Sequence, residues 1–149
     1  MSIRPERVGH VVLKVRSLAR SVPFYTDVLG FKENARYGGR MAFFTATGEN
    51  HHDLALMEIG DSAASAAPNA VGLFHVAIRL PSVDAVRDAY KTLRARGIPV
   101  GSSDHGVSKS IYLEDPDGIE IELYADEPAE SYNGDVASAM TVRGWNPEA

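Results

Sequence analysis

The chain has 149 residues, 44% hydrophobic and 23% charged, ordinary proportions for a globular protein and enough length to bury one real core. Its formal net charge of −5 argues against nucleic acid or an anionic membrane as partner, and the lack of cysteine excludes disulfides and thiolate chemistry. No apolar run approaches the length of a bilayer span, and Met1 to Arg7 does not read as a signal peptide, so a single cytoplasmic domain is expected.

Residues 8–15 alternate apolar and polar and are rich in valine, which predicts a strand. Ser17 is placed to cap a helix running to about Leu29, with Pro23 inside it and Gly30 to stop it. Phe31 to Tyr37, Met41 to Thr45 and His52 to Ile59 complete a first unit of strand, helix and three strands, over residues 7–60. The small and polar stretch 61–71 reads as a linker. A second unit follows over 72–125: a strand at 73–80, a helix capped by Ser82 and running to about Arg96, a short strand near Val100, then 108–114 and Ile119 to Tyr124. The tail, 126–149, has weak periodicity, with a short helix at Val136–Met140; Tyr132 and Trp145 are its aromatic candidates for closing over a site.

The two units repeat in sequence. Gly9-His10-Val11-Val12-Leu13-Lys14-Val15 matches Phe74-His75-Val76-Ala77-Ile78-Arg79-Leu80, with a serine seven residues on (Ser17, Ser82) and a tyrosine at one further shared offset (Tyr25, Tyr90). Repeated sequence implies repeated structure, and two like units around a pseudo-twofold axis would bring His10 and His75 together. Glu122 lies on a mostly apolar strand, where a carboxylate must be paired, protonated or metal-bound. Glu120 shares its strand face; Glu122 is favoured by its distance from Asp115. Superposing the last strands sets Ala55 against Glu122, which leaves three protein ligands and open positions, as catalytic metal sites keep. His52 and His105 are candidate acid–base groups, His51 reads as an exposed loop residue, and Tyr112 is either core or a partner for a bound oxygen.

These residues resemble the vicinal oxygen chelate superfamily, which includes glyoxalase I, epimerases, fosfomycin and bleomycin resistance proteins and extradiol dioxygenases. The resemblance covers about residues 7–125. It implies an α+β fold of two paired βαβββ modules forming a half-open barrel around a metal site. The pattern is most similar to catechol 2,3-dioxygenase-like enzymes. The iron(II) ligands of that family fall on His10, His75 and Glu122. Its histidine beside, but not on, the metal falls on His52 in His52-Asp53-Leu54-Ala55, and its loop histidine on His105 in His105-Gly106-Val107-Ser108. Its tyrosine falls on Tyr112, three residues before Asp115-Pro116-Asp117-Gly118. The resemblance implies ring cleavage of an aromatic vicinal diol by O2, with Fe(II), or Mn(II) or another divalent metal, in a homodimer. The alternatives are a lyase, an epimerase or a fosfomycin-type thiol transferase on the same scaffold, or a metal-free drug-binding resistance protein.

Overall fold

The computed structural model describes residues 2–149, which form two compact units, one running through Ala67 and the other from Pro68 to Ala149. The first contains β1 (Val11–Val15), α1 (Leu18–Pro23), β2 (Lys32–Tyr37), β3 (Met41–Thr45) and β4 (Leu54–Glu58). The second contains β5 (His75–Arg79), α2 (Val83–Ala95), β6 (Gly101–Asp104), β7 (Ser108–Glu114) and β8 (Glu120–Asp126), then a short α3 (Val136–Ala139). Each unit is a βαβββ module with a four-stranded mixed sheet. The orders, β1-β4-β3-β2 and β5-β8-β7-β6, are equivalent, and in each sheet the first strand runs parallel to the last. The α+β fold of two such modules agrees with the sequence pattern.

Strand pleating divides each sheet into a covered and an open face. In the first module Leu13, Val15, Phe44, Leu54 and Leu56 are buried along with Leu18, Val22 and Tyr25 of the helical segment. In the second, Ile111, Leu113, Ile121 and Leu123 are buried along with Val86 and Leu93 of α2. The alternate residues, among them His75, Tyr112, Glu120 and Glu122, lie on the opposite face of the second sheet. Burial of the apolar rows fixes this register, because a slip of one residue would turn every side chain over.

Local chemistry moves several predicted boundaries. The first strand begins at Val11 rather than at residue 8, and His10 immediately precedes it, exposed. The helix expected to reach Leu29 changes character at Pro23, which has no N–H to give the carbonyl of Ala19. It continues as a wider π-helical turn over Phe24–Val28, closed by Leu29 N–H donating to the Phe24 carbonyl at 3.1 Å. Gly30, at φ +79°, then lets the chain leave. Ser17 occupies the N-cap position but makes no capping bond; the Leu18 N–H donates instead to Glu58 Oε2 at 2.8 Å. Ser82 does cap α2, accepting from Ala85 N–H at 3.1 Å. Finally, β4 starts at Leu54 rather than His52, because Asp53 is taken up by a turn: its carboxylate accepts from Ala46 N–H, Thr45 Oγ1 and Asn50 Nδ2. No helix among the described residues is long and apolar enough to cross a membrane.

The two caps give a stability contrast. Ser82→Ala should cost about 1 kcal/mol in urea unfolding and Ser17→Ala close to nothing, whereas Glu58→Ala should cost about as much as losing a cap. Equal losses from the two serine variants would contradict this assignment.

Candidate active site

Residues from four parts of the second module meet on its open face. The ladder sets Glu122 of β8 between Ala77 of β5 and Tyr112 of β7, and sets Glu120 between His75 and Glu114. Glu122 is only 9% exposed, so its charge must be matched by partners rather than by water. Its Oε2 lies 3.1 Å from His75 Nε2, and its Oε1 accepts from the Tyr112 hydroxyl at 3.0 Å. His105, from the loop between β6 and β7, brings Nε2 within 2.6 Å of that hydroxyl and 4.0 Å of Glu122 Oε1.

His75 stands between two carboxylates. Its Nδ1 is 3.2 Å from Glu120 Oε1 while its Nε2 faces Glu122. A neutral imidazole has one N–H. Donated to Glu120, it leaves an Nε2 lone pair facing a carboxylate oxygen, a repulsion relieved either by a second ring proton or by a cation between the two. Two ligands each about 2.1 Å from one metal ion, at roughly a right angle or slightly more, stand about 3 Å apart. The observed 3.1 Å fits that requirement as well as it fits a direct hydrogen bond, and a carboxylate on the far nitrogen is the partner that a metal-bound histidine usually has. These two donors therefore suit a divalent cation. Among the described residues, no three His, Asp or Glu side chains are gathered so as to hold a metal by themselves.

Burial pushes the Tyr112 phenol up to about 12; the nearby Ser110 hydroxyl opposes this, and the Glu122 and Glu120 carboxylates add to it. The phenol is thus fully protonated at neutral pH. His105 Nδ1 lies 3.3 Å from the Thr141 carbonyl, which can only accept, so Nδ1 carries the proton and Nε2 offers its lone pair to Tyr112. One phenolic proton consequently has two acceptors, Glu122 and His105. That is a short relay for moving or sharing a proton.

The first module holds a separate histidine group. The rings of His10 and His52 are 4.2 Å apart, those of His51 and His52 4.4 Å, and the Nδ1 atoms of His51 and His52 are separated by 2.6 Å. Desolvation lowers the pKa of His52, the neighbouring His10 and His51 lower it further, and Asp53 works against them. His52 is therefore held as a neutral imidazole, the form that accepts a proton. The register also sets Val12 beside Ala55, as Ala77 is set beside Glu122, so Ala55 occupies the place equivalent to Glu122.

A cavity of about 660 Å³ opens beside Tyr112 and Glu120, walled by Ile98, Pro99, Val100 and Glu114. Trp145 does not lie there. Its ring sits 5.3 Å from the Arg87 guanidinium of α2, and its carbonyl accepts from Ser102 Oγ at 2.6 Å. The structure thus brings together His75, Glu122, Tyr112 and His105 in one module, and His10 and His52 in the other. Sequence reading set aside Glu120 and His51. Glu120 was recoverable, because it shares a strand face with Glu122 opposite the first residue of β5; the contact of His51 with His52 had no signal beyond adjacency.

Repeated βαβββ modules, with a histidine at or just before each first strand and a glutamate on the last strand of the second, define a class. The chain belongs to the Glyoxalase/Bleomycin resistance protein/Dioxygenase superfamily, whose profile matches residues 7–123. Within it, a catechol-2,3-dioxygenase of Bacillus subtilis is 40% identical over 150 residues, which is 95% of this chain and 52% of that protein. The chain thus spans about half the length of that relative. A lactoylglutathione lyase of Salmonella typhimurium is 34% identical over 78% of this chain and 90% of its own. The crystal structure of a lactoylglutathione lyase from Agrobacterium tumefaciens, 25% identical, superposes with a TM-score of 0.64 over 81% of this chain and 94% of that one.

Ultraviolet titration against Tyr112→Phe should show that the Tyr112 absorbance change is absent at pH 10 and appears only near pH 12. Because the folded state binds this proton more tightly, the stabilising effect is complete below about pH 10 and is lost as the pH rises toward 12. Ionisation near pH 10 would show that the hydroxyl is not enclosed in this way.

Proposed function

We propose that the protein is a metal-dependent extradiol dioxygenase that opens the ring of a catechol-like vicinal diol with O2. The observation that carries this reading is the grouping of His75, Glu122, Tyr112 and His105, in which a ligand pair adjoins a proton relay. We take His75 and Glu122 as two metal ligands. His10, which holds in the first module the sequence place that His75 holds in the second, is the third. Iron(II) is the expected metal, with Mn(II) or another divalent ion as substitute. When bound, it would supply a Lewis-acidic, redox-active centre for the diol and O2.

The protein's own groups then have definite tasks. Glu120 keeps the proton of His75 on Nδ1, so that Nε2 remains a donor. Tyr112, protonated at neutral pH, hydrogen-bonds a substrate oxygen, and His105 exchanges a proton with it. His52, held neutral, accepts a proton from the diol and returns it later. The cavity beside Tyr112 receives the part of the ring remote from the reacting carbons. In the net reaction the carbon–carbon bond next to the diol breaks and both atoms of O2 enter the product. The same proposal takes the protein as a cytoplasmic homodimer, since sheets of this kind end in edge strands that pairing covers.

Likeness to lactoylglutathione lyases suggests a second reading, a lyase. Lyases of this superfamily resemble one another in using four ligands, and Ala55 stands where the first module would supply its carboxylate. That substitution favours the dioxygenase.

The test is anaerobic loading with Fe(II), then catechol and substituted catechols in air. A yellow ring-opened semialdehyde is expected. His52→Phe should retain the metal content of the parent while turnover falls about a hundredfold. Absence of ring opening with every diol, alongside turnover of lactoylglutathione, would replace this reading with the lyase.

A further inference from the structure

We infer that the C-terminal segment Ala139–Arg143 is the positioning element for His105, acting through its backbone. The catalytic consequence rests on the dioxygenase reading; the structural role does not. The segment lies along the free edge of β6. Asp104 N–H donates to the Arg143 carbonyl at 2.8 Å, and Arg143 N–H donates to the Asp104 carbonyl at 2.9 Å. One step on, Thr141 N–H donates to the His105 carbonyl at 3.1 Å, while the Thr141 carbonyl faces His105 Nδ1 at 3.3 Å. One residue of the tail thus holds both the main chain and the ring of His105.

The loop is shaped to admit this contact. Gly106 lies at φ +76°, and a Cβ there would stand 2.0 Å from the Ala139 carbonyl oxygen, so any side chain would drive the two backbones apart. Asp104 ties the loop on the other side, accepting from Gly106 N–H at 2.7 Å and pairing with Lys109 Nζ at 2.9 Å. Farther along, Ser102 Oγ donates to the Trp145 carbonyl, and Arg87 anchors the end of the chain through the Pro147 carbonyl and the Trp145 ring. Because a carbonyl only accepts, Thr141 selects the Nδ1–H tautomer and turns the Nε2 lone pair toward Tyr112, 2.6 Å away. Nothing in this contact requires the side chain of residue 141.

Comparison of Thr141→Ala with Thr141→Pro tests the inference. Proline removes the N–H that holds the His105 carbonyl. Met140, at φ −59° and ψ 130°, already has the backbone that a following proline demands. Nitrogen-15 NMR of the ring of His105 in the full-length protein reports the tautomer, and steady-state kinetics on the Fe(II) form reports its use. Wild type and Thr141→Ala should show a single Nδ1–H tautomer. Thr141→Pro should show averaged ring nitrogens, with kcat reduced about tenfold or more and KM within twofold. If Thr141→Pro does not fold, Gly106→Ala in the full chain, whose Cβ would meet the Ala139 carbonyl oxygen, provides the same readout. Retention of the Nδ1–H tautomer in either folded variant overturns the inference. So does its loss in Thr141→Ala, or its loss with kcat unchanged. Loss confined to the backbone variants in a protein that opens no catechol ring upholds the positioning role and rejects the dioxygenase reading instead.

Discussion

The interaction on which this site depends is the confinement of one imidazole between two carboxylates. Glu120 and Glu122 sit two residues apart on β8, on one face of the sheet, and β5 runs parallel beside them so that His75 reaches both. A strand whose other face is buried cannot slip, so the two carboxylates cannot leave the ring. A ring with one proton satisfies only one carboxylate; the other needs a second ring proton or a cation on the free nitrogen. The proposed metal ion would meet that need at a spacing the sheet already provides. The buried Glu122 also accepts from Tyr112, so the proposed ligand pair and the proton relay share a single side chain.

The modules divide the labour unequally. Both have the same strand order and the same parallel pairing of first and last strands. The second carries a carboxylate where the first carries Ala55; the first carries crowded histidines, His10, His51 and His52, and the second carries the Tyr112–His105 relay. Duplication of a stable βαβββ unit leaves its covered face under packing constraint and its open face free to diverge. These open faces have diverged into different chemistry.

Much of this was legible in the sequence because it is written in periodicity. Alternating apolar residues specify β7 and β8 and hence the common face of Tyr112, Glu120 and Glu122; the repeat specifies the module, and with it the equivalence of Ala55 and Glu122. What escaped is non-local or depends on backbone detail. The wider turn after Pro23 answers a missing donor, and the capping of α1 by Glu58 joins residues forty positions apart. The hold of Thr141 on His105 runs through main-chain atoms, which carry no mark of residue type. The aromatic residues of the tail invited a covering role, yet Trp145 stacks against Arg87 instead.

The proposed metal centre stands or falls on His75 and Glu122 jointly holding a divalent ion. Metal analysis after anaerobic Fe(II) loading and exhaustive dialysis, on the parent and on Glu122→Ala of confirmed fold, tests it most directly. Close to one iron per chain is expected in the parent and less than about a tenth of that in the variant, since loss of a ligand costs more than the roughly 10–100-fold typical of losing a residue that only supports one. Equal iron in the two proteins would contradict it.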